Sequence, residues 1–213
     1  MTLPTHPLSR LRRHHRPLAV AALALAALGP LQGCVLLLGA GAVGGGLVLA
    51  DRRTSGTQLD DQSIELKSGA RVRDAIGDRG HVNVTSYDRV VLVTGEVPTP
   101  EDKAAVERSI SGIQNVGSID NELEVGFTSS LSSRSSDTVI TGKVKSALVD
   151  AKDLQATAIK VVTERGNVYL MGSVTEREAA RSAEVARNVG GVVKVIRVFE
   201  ILTEEQLGNL TNH

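Results

Sequence analysis

The side chains able to do covalent or acid–base work are few and scattered. Cys34 is the single thiol, so neither an internal disulfide nor a cysteine-based zinc cluster can form. Beyond the first 33 residues only two histidines occur, His81 and the terminal His213. His81 opens an alternating run, a position expected at a strand edge rather than one for a general base. With no cysteine or second histidine to join it, neither a Cys/His nor a Ser/His/Asp constellation is in prospect. Carboxylates recur as Glu101, Asp102 and Glu107 and again as Glu176, Glu178 and Glu184. They start predicted helices or line their solvated faces, where acids in the first turn suit the dipole. Gly39-Ala40-Gly41-Ala42-Val43-Gly44 has the G-x-G-x-x-G spacing but follows no strand of a βαβ unit, so it is accidental. Four aromatic residues and no Trp leave no ring-lined pocket and no base-stacking platform. The 24 basic and 24 acidic residues balance, which excludes a strongly basic nucleic-acid binder. No enzyme activity, metal or cofactor is expected beyond a covalent lipid on Cys34.

The surroundings of Cys34 give its thiol a task. Arg10, Arg12, Arg13 and Arg16 form a basic segment with no acid, and Leu18 to Leu28 is an unbroken run of Ala, Leu and Val. Eleven residues are too few to span a bilayer, which takes about 20, but they fit the apolar region of a secretion signal. Leu31-Gln32-Gly33-Cys34 follows and resembles the bacterial lipobox, with a small residue before a cysteine that takes a diacylglyceryl group. Residues 1–33 are then a lipoprotein signal peptide, and Cys34 is the lipidation site. Val35 in place of Asp favours the outer membrane as the address. Val35 to Ala50 is uncharged and rich in Gly, which weakens an isolated helix by about 1 kcal/mol per Gly. It is expected to be an apolar tether, with a signal anchor as the alternative; residues 34–60 form tether and lead-in together.

The remainder holds an internal repeat, at 61–126 and 137–202. Each copy opens on a helical stripe, Ile64, Ser68, Val72 and Ile76 or Ile140, Val144 and Leu148. Two alternating runs of period two follow, marking half-buried strands. Val90 to Val97 and Asn167 to Val174 are the second run of each copy, reached through Ser86-Tyr87-Asp88-Arg89 and Glu164-Arg165-Gly166 turns. A second helix starts near Pro100 or Thr175 and a last strand covers Ile119 to Val125 or Val195 to Ile201. The fold class is α+β: helix, strand, strand, helix, strand, with two helices on one face of a three-stranded mixed sheet. Gly95 and Gly172 are expected where a helix packs close to a strand. Thr128 to Ser136, with six serines, reads as a flexible linker (127–136), and 203–213 as a polar tail that frays.

This pattern resembles the BON domain. The first copy carries Val91, Val93, Gly95 and Val97, then Ala104 and Ala105, then Val116, Ile119, Asn121, Leu123 and Val125. The second carries Val168, Leu170, Gly172 and Val174, then Ala179, Ala180 and Ala183, then Val192, Val195, Phe199 and Ile201, with Arg197 where the family usually has Asn. Asp51 to Asp61 is similar to the lead-in of dual-BON outer-membrane lipoproteins. The resemblance implies a non-enzymatic protein that contacts phospholipid membranes.

Charge then separates the copies. Residues 61–126 hold seven basic and twelve acidic groups, net −5, and residues 137–202 hold ten and eight, net +2. An anionic phospholipid such as phosphatidylglycerol is therefore expected to favour the second copy and repel the first. On its first helix, Val139, Gly142, Lys143 and Ser146 share a face beside the core stripe, with Lys145 further round. One apolar side chain, a glycine and lysines suit a helix resting on headgroups. Relatives often carry Trp at the position of Val139. The leading expectation is a lipid-anchored protein of the outer membrane, facing the periplasm and supporting envelope integrity under stress. The alternative is an adaptor that docks outer-membrane assembly machinery or a cell-wall amidase regulator.

Overall fold

A computed structural model describes residues 51–211. The signal peptide, Cys34 and the apolar tether up to Ala50 lie outside the described residues. These described residues form a compact unit with its own cores.

In the first copy, α1 (Ser55–Ile76) starts at Thr54, whose hydroxyl accepts from the Thr57 N–H, and buries Asp61, Ile64, Ser68, Val72 and Ile76 along one stripe. β1 (His81–Tyr87) and β2 (Val90–Val97) form an antiparallel hairpin. Its two central residues, Asp88 and Arg89, have φ of 48° and 67°, as a tight primed turn requires. Asp61 reaches from α1 to hold that turn, accepting from Ser86 Oγ at 2.7 Å, Asp88 N at 2.8 Å and Arg89 N at 2.9 Å. α2 (Pro100–Ser111), capped by Thr99, carries the chain back so that β3 (Ser118–Asn121) and β4 (Glu124–Val125) both run parallel to β2.

The second copy repeats the plan: α3 (Leu131–Asp150), β5 (Lys160–Glu164), β6 (Asn167–Thr175), α4 (Glu176–Arg187) and β7 (Lys194–Leu202). Asp137 on α3 accepts from Arg165 N at 2.9 Å and Gly166 N at 2.8 Å, the counterpart of the Asp61 grip. α4 opens with a reciprocal capping box between Thr175 and Glu178. A last helix, α5 (Glu204–Thr211), closes the described chain.

Strand alternation sets the layers. Val91, Val93 and Val97 face α1 and α2, packing with Ile64, Val106 and Ile110. Val168, Leu170 and Val174 do the same under α3 and α4 with Val144, Leu148 and Ala183. The opposite faces meet each other, where Tyr87 and Leu92 pack with Tyr169, Met171 and Val198. The unit is thus helix, sheet, sheet, helix, with the two helix layers on opposite outer sides.

Four sequence expectations change. The serine-rich segment is helical from Leu131, not a linker through residue 136. Ser130 caps it by accepting from Ser133 N, and the hydroxyls of Ser135, Ser136 and Thr138 donate to Leu131 O, Ser132 O and Arg134 O, so the polar side chains are satisfied on the helix itself. The lead-in is helical from Ser55, ahead of residue 61. The tail forms α5, started by Thr203 Oγ1 accepting from Gln206 N. Gly95 is not a point of helix approach: it has positive φ, and a Cβ there would strike the backbone carbonyl of His81 on the paired strand, whereas at Gly172, also at positive φ, the carbonyl met is that of Ala158, the last residue of a short 3-10 helix (Ala156–Ala158).

Candidate functional site

The outward side of α3 carries the predicted contact residues. Ile140, Val144 and Leu148 point into the core, which turns Val139, Gly142, Lys143, Lys145 and Ser146 to solvent. Val139 is 56% exposed. A Cβ on Gly142 would meet nothing within 4 Å, so this glycine leaves open surface rather than space for packing. Neither Lys143 nor Lys145 has an ion pair or hydrogen bond within the described residues. Two exposed apolar residues of the same stripe escaped the sequence reading, Leu131 and Val149. Val149 was legible as Gly142 plus seven, whereas Leu131 lay in the presumed linker. No described helix is long and apolar enough to cross a membrane.

The polar clusters elsewhere join the two copies. Arg52, from the lead-in to the first copy, donates to both Glu178 oxygens at 2.8 Å and to Ser173 O at 2.9 Å. Only 4% of the Arg52 side chain and 6% of the Glu178 side chain are exposed. The guanidinium holds Glu178 below the usual carboxylate range. Arg53 pairs with Asp51 and Asp61 and lies 4.1 Å from the centroid of the Tyr87 ring. Burial pushes the Tyr87 hydroxyl up to about 12.

At the other end, Asn83 Nδ2 donates to Glu164 Oε2 at 2.9 Å and sits 3.1 Å from His81 Nε2. Burial and the nearby Arg134 lower the His81 pKa. Burial raises that of Glu164, with Glu96 and Asp137 adding to it. His81 does stand at the edge strand, and its neighbour is an amide rather than a nucleophile, so this cleft is an inter-copy contact. Ser173 Oγ donates to Glu200 at 3.0 Å, and the hydrogen bond that Glu200 shares with Asp88 raises its pKa. No group of three or more His, Cys, Asp or Glu suited to a metal ion occurs among the described residues.

The BON domain profile matches residues 60–126 and 136–203. Over 192 residues the chain is 40% identical to outer membrane lipoprotein DolP of Haemophilus influenzae, covering 87% of this chain and 97% of that one. It is 37% identical over 151 residues to the 21 kDa hemolysin of Actinobacillus pleuropneumoniae, covering 70% and 78%. It is 27% identical over 150 residues to osmotically-inducible protein Y of Escherichia coli, covering 66% and 72%. Two repeats gripped by the same aspartate-to-hairpin contact, each matched by one profile, make this chain a member of the BON-domain family, with two BON domains in tandem, among its outer-membrane lipoproteins.

Proposed function

We propose that the chain is a non-enzymatic protein, held in the outer membrane by lipid on Cys34, that faces the periplasm and rests α3 of the second domain on anionic phospholipid. The supporting observation is the outward face of α3, where Lys143 and Lys145 stand without internal partners beside exposed Val139. Cations flanking a modest apolar stripe gain from both headgroup charge and shallow burial. Its role would be to support outer-membrane integrity under envelope stress.

Residues 49–213 provide the test, since the described residues 51–211 within them form a unit with complete cores. Phosphatidylglycerol micelles should shift the amide resonances of α3, and Lys143→Glu with Lys145→Glu should remove the shift. Unchanged α3 resonances in the presence of micelles would sink the reading. Mass spectrometry of the mature amino terminus tests the anchor; an unmodified Cys34 rejects it.

A second reading is an adaptor for outer-membrane assembly machinery or a cell-wall amidase regulator. It is supported by Phe127 at the junction of the domains, which is 96% exposed. An exposed aromatic of that size is a frequent anchor for a protein partner. Crosslinking in cells that gives protein adducts lost on Phe127→Ala, without lipid binding, would favour it.

A further inference from the structure

The first domain has a net charge of −5, yet its charges are segregated. α2 packs over β3 and β4, while α1 packs over β1. Of its seven exposed acids, Glu101, Glu107, Asp120, Glu122 and Glu124 lie on α2, β3, β4 or the short break between those strands, and Asp74 and Asp78 lie on or just past the last turn of α1. The outward side of α1 is different. Leu59, Leu66 and Ala70 follow one another along the side opposite the buried stripe, and the two leucines are 67% and 78% exposed. Lys67, Arg71 and Arg73 flank that stripe, all exposed and without a partner among the described residues. Asp74, and Asp78 just past the helix end, are the acids here without an ion pair among the described residues. Asp60 is held by Arg89 at 2.8 Å and Glu65 by Lys160 at 2.9 Å.

An apolar row bordered by cations with long aliphatic stems is the arrangement of a helix lying in a membrane interface. We infer that α1 is a second membrane-contact face, specific for an anionic phospholipid bilayer, and independent of the α3 reading. Because the sheets pack against each other, α1 and α3 face opposite ways. One flat bilayer meets one helix or the other, and a molecule using both joins two lipid surfaces.

Residues 49–213 would be sedimented with vesicles of phosphatidylglycerol and phosphatidylcholine in equal parts. With Lys143→Glu and Lys145→Glu in place, binding through α1 should persist. Adding Lys67→Glu, Arg71→Glu and Arg73→Glu should cut the partition by about tenfold or more, since each cation near an anionic surface contributes substantially. Salt at about 0.5 M should weaken it similarly, the Debye length being then only a few ångströms. The chain has no Trp, so Leu66→Trp reports its own surroundings: anionic vesicles should shift its emission to the blue, and phosphatidylcholine vesicles should not. With both faces intact, anionic vesicles should cluster and scatter light, and reversal of either set of charges should abolish clustering. Measured with Lys143→Glu and Lys145→Glu in place, binding insensitive to the α1 reversals, or Trp emission unchanged while the protein sediments, overturns the inference. Binding lost with the α1 reversals but indifferent to Lys143 and Lys145 upholds it and rejects the α3 reading.

Discussion

The last strands of the two domains occupy the same place and do different things. In the second domain β7 is continuous over nine residues and presents Ile196 and Val198 to the other sheet. In the first domain the equivalent strand breaks into β3 and β4, and the corresponding positions are Asp120 and Glu122, both exposed. Asn121 organises the break. Its amide donates to Glu107 Oε2 at 2.9 Å and Lys103 O at 3.2 Å, and its carbonyl accepts from Leu123 N at 3.3 Å. Arg197 stands at that position in β7 and reaches out to Glu176 at 3.0 Å instead. One repeat therefore commits its last strand to the sheet–sheet layer, and the other keeps it as a charged margin. A shared fold tolerates this because Leu123 and Phe199 still pack against their own helices in both copies.

The largest break in that contrast should come from giving β7 the charge of its counterpart. Val198→Glu would bury an unpaired carboxylate between the sheets and should cost about 4 kcal/mol or more, whereas Glu122→Val on the exposed margin should stay within about 0.5 kcal/mol. Denaturant unfolding of residues 49–213 measures both. Next comes the clamp between the lead-in and the second domain. Arg52→Ala leaves Glu178 buried without its cation and should cost about 3–5 kcal/mol, while Arg197→Ala on an exposed pair should cost under about 1 kcal/mol.

A smaller effect is expected at the strand break. Asn121→Ala should lose about 1–2 kcal/mol in thermal unfolding, through three hydrogen bonds of which one partner is a backbone N–H in the core-facing turn. Equal losses at Asn121 and Arg197 would refute the assignment of the break to Asn121.

The pH dependence is the finest discriminator, and its two carboxylates act in opposite senses. Glu178 has a folded pKa below its ordinary 4.5. Its contribution is full above that value and fades as pH falls through the lowered one. Glu164 has a folded pKa above its ordinary 4.5. Its contribution is present at low pH and is lost as pH rises through the raised value. Glu178→Gln should flatten the acid limb of a stability–pH curve, and Glu164→Gln should raise stability on the neutral side. Two curves that both merely shift downward would contradict these assignments.

Much of the fold was legible because each copy keeps its periods clean. Ile64, Ser68, Val72 and Ile76 are all buried on α1, and Val91, Val93 and Val97 all face the helices. The sequence misread Leu131 to Ser136 because serines weaken a helix on average, and only the local back-bonding of their hydroxyls shows them satisfied within one. It misread Gly95 because a required glycine does not announce which neighbour crowds it. The α3 face was legible residue by residue, since helical spacing alone separates Val139, Gly142, Lys143 and Ser146 from the core. The α1 face was hidden by averaging charge over a whole domain.

Sequence alone determined the repeat, the helix and strand order and the buried stripe of each first helix. These depend on near-neighbour chemistry and on periods of two and 3.6 residues, which a linear string records. Only the tertiary structure decided that the sheets pack face to face, that Arg52 crosses to the other domain, and that α1 and α3 point in opposite directions. Those features rest on which side of a sheet remains free once its helices are seated, and on partners more than a hundred residues apart. No local pattern encodes either.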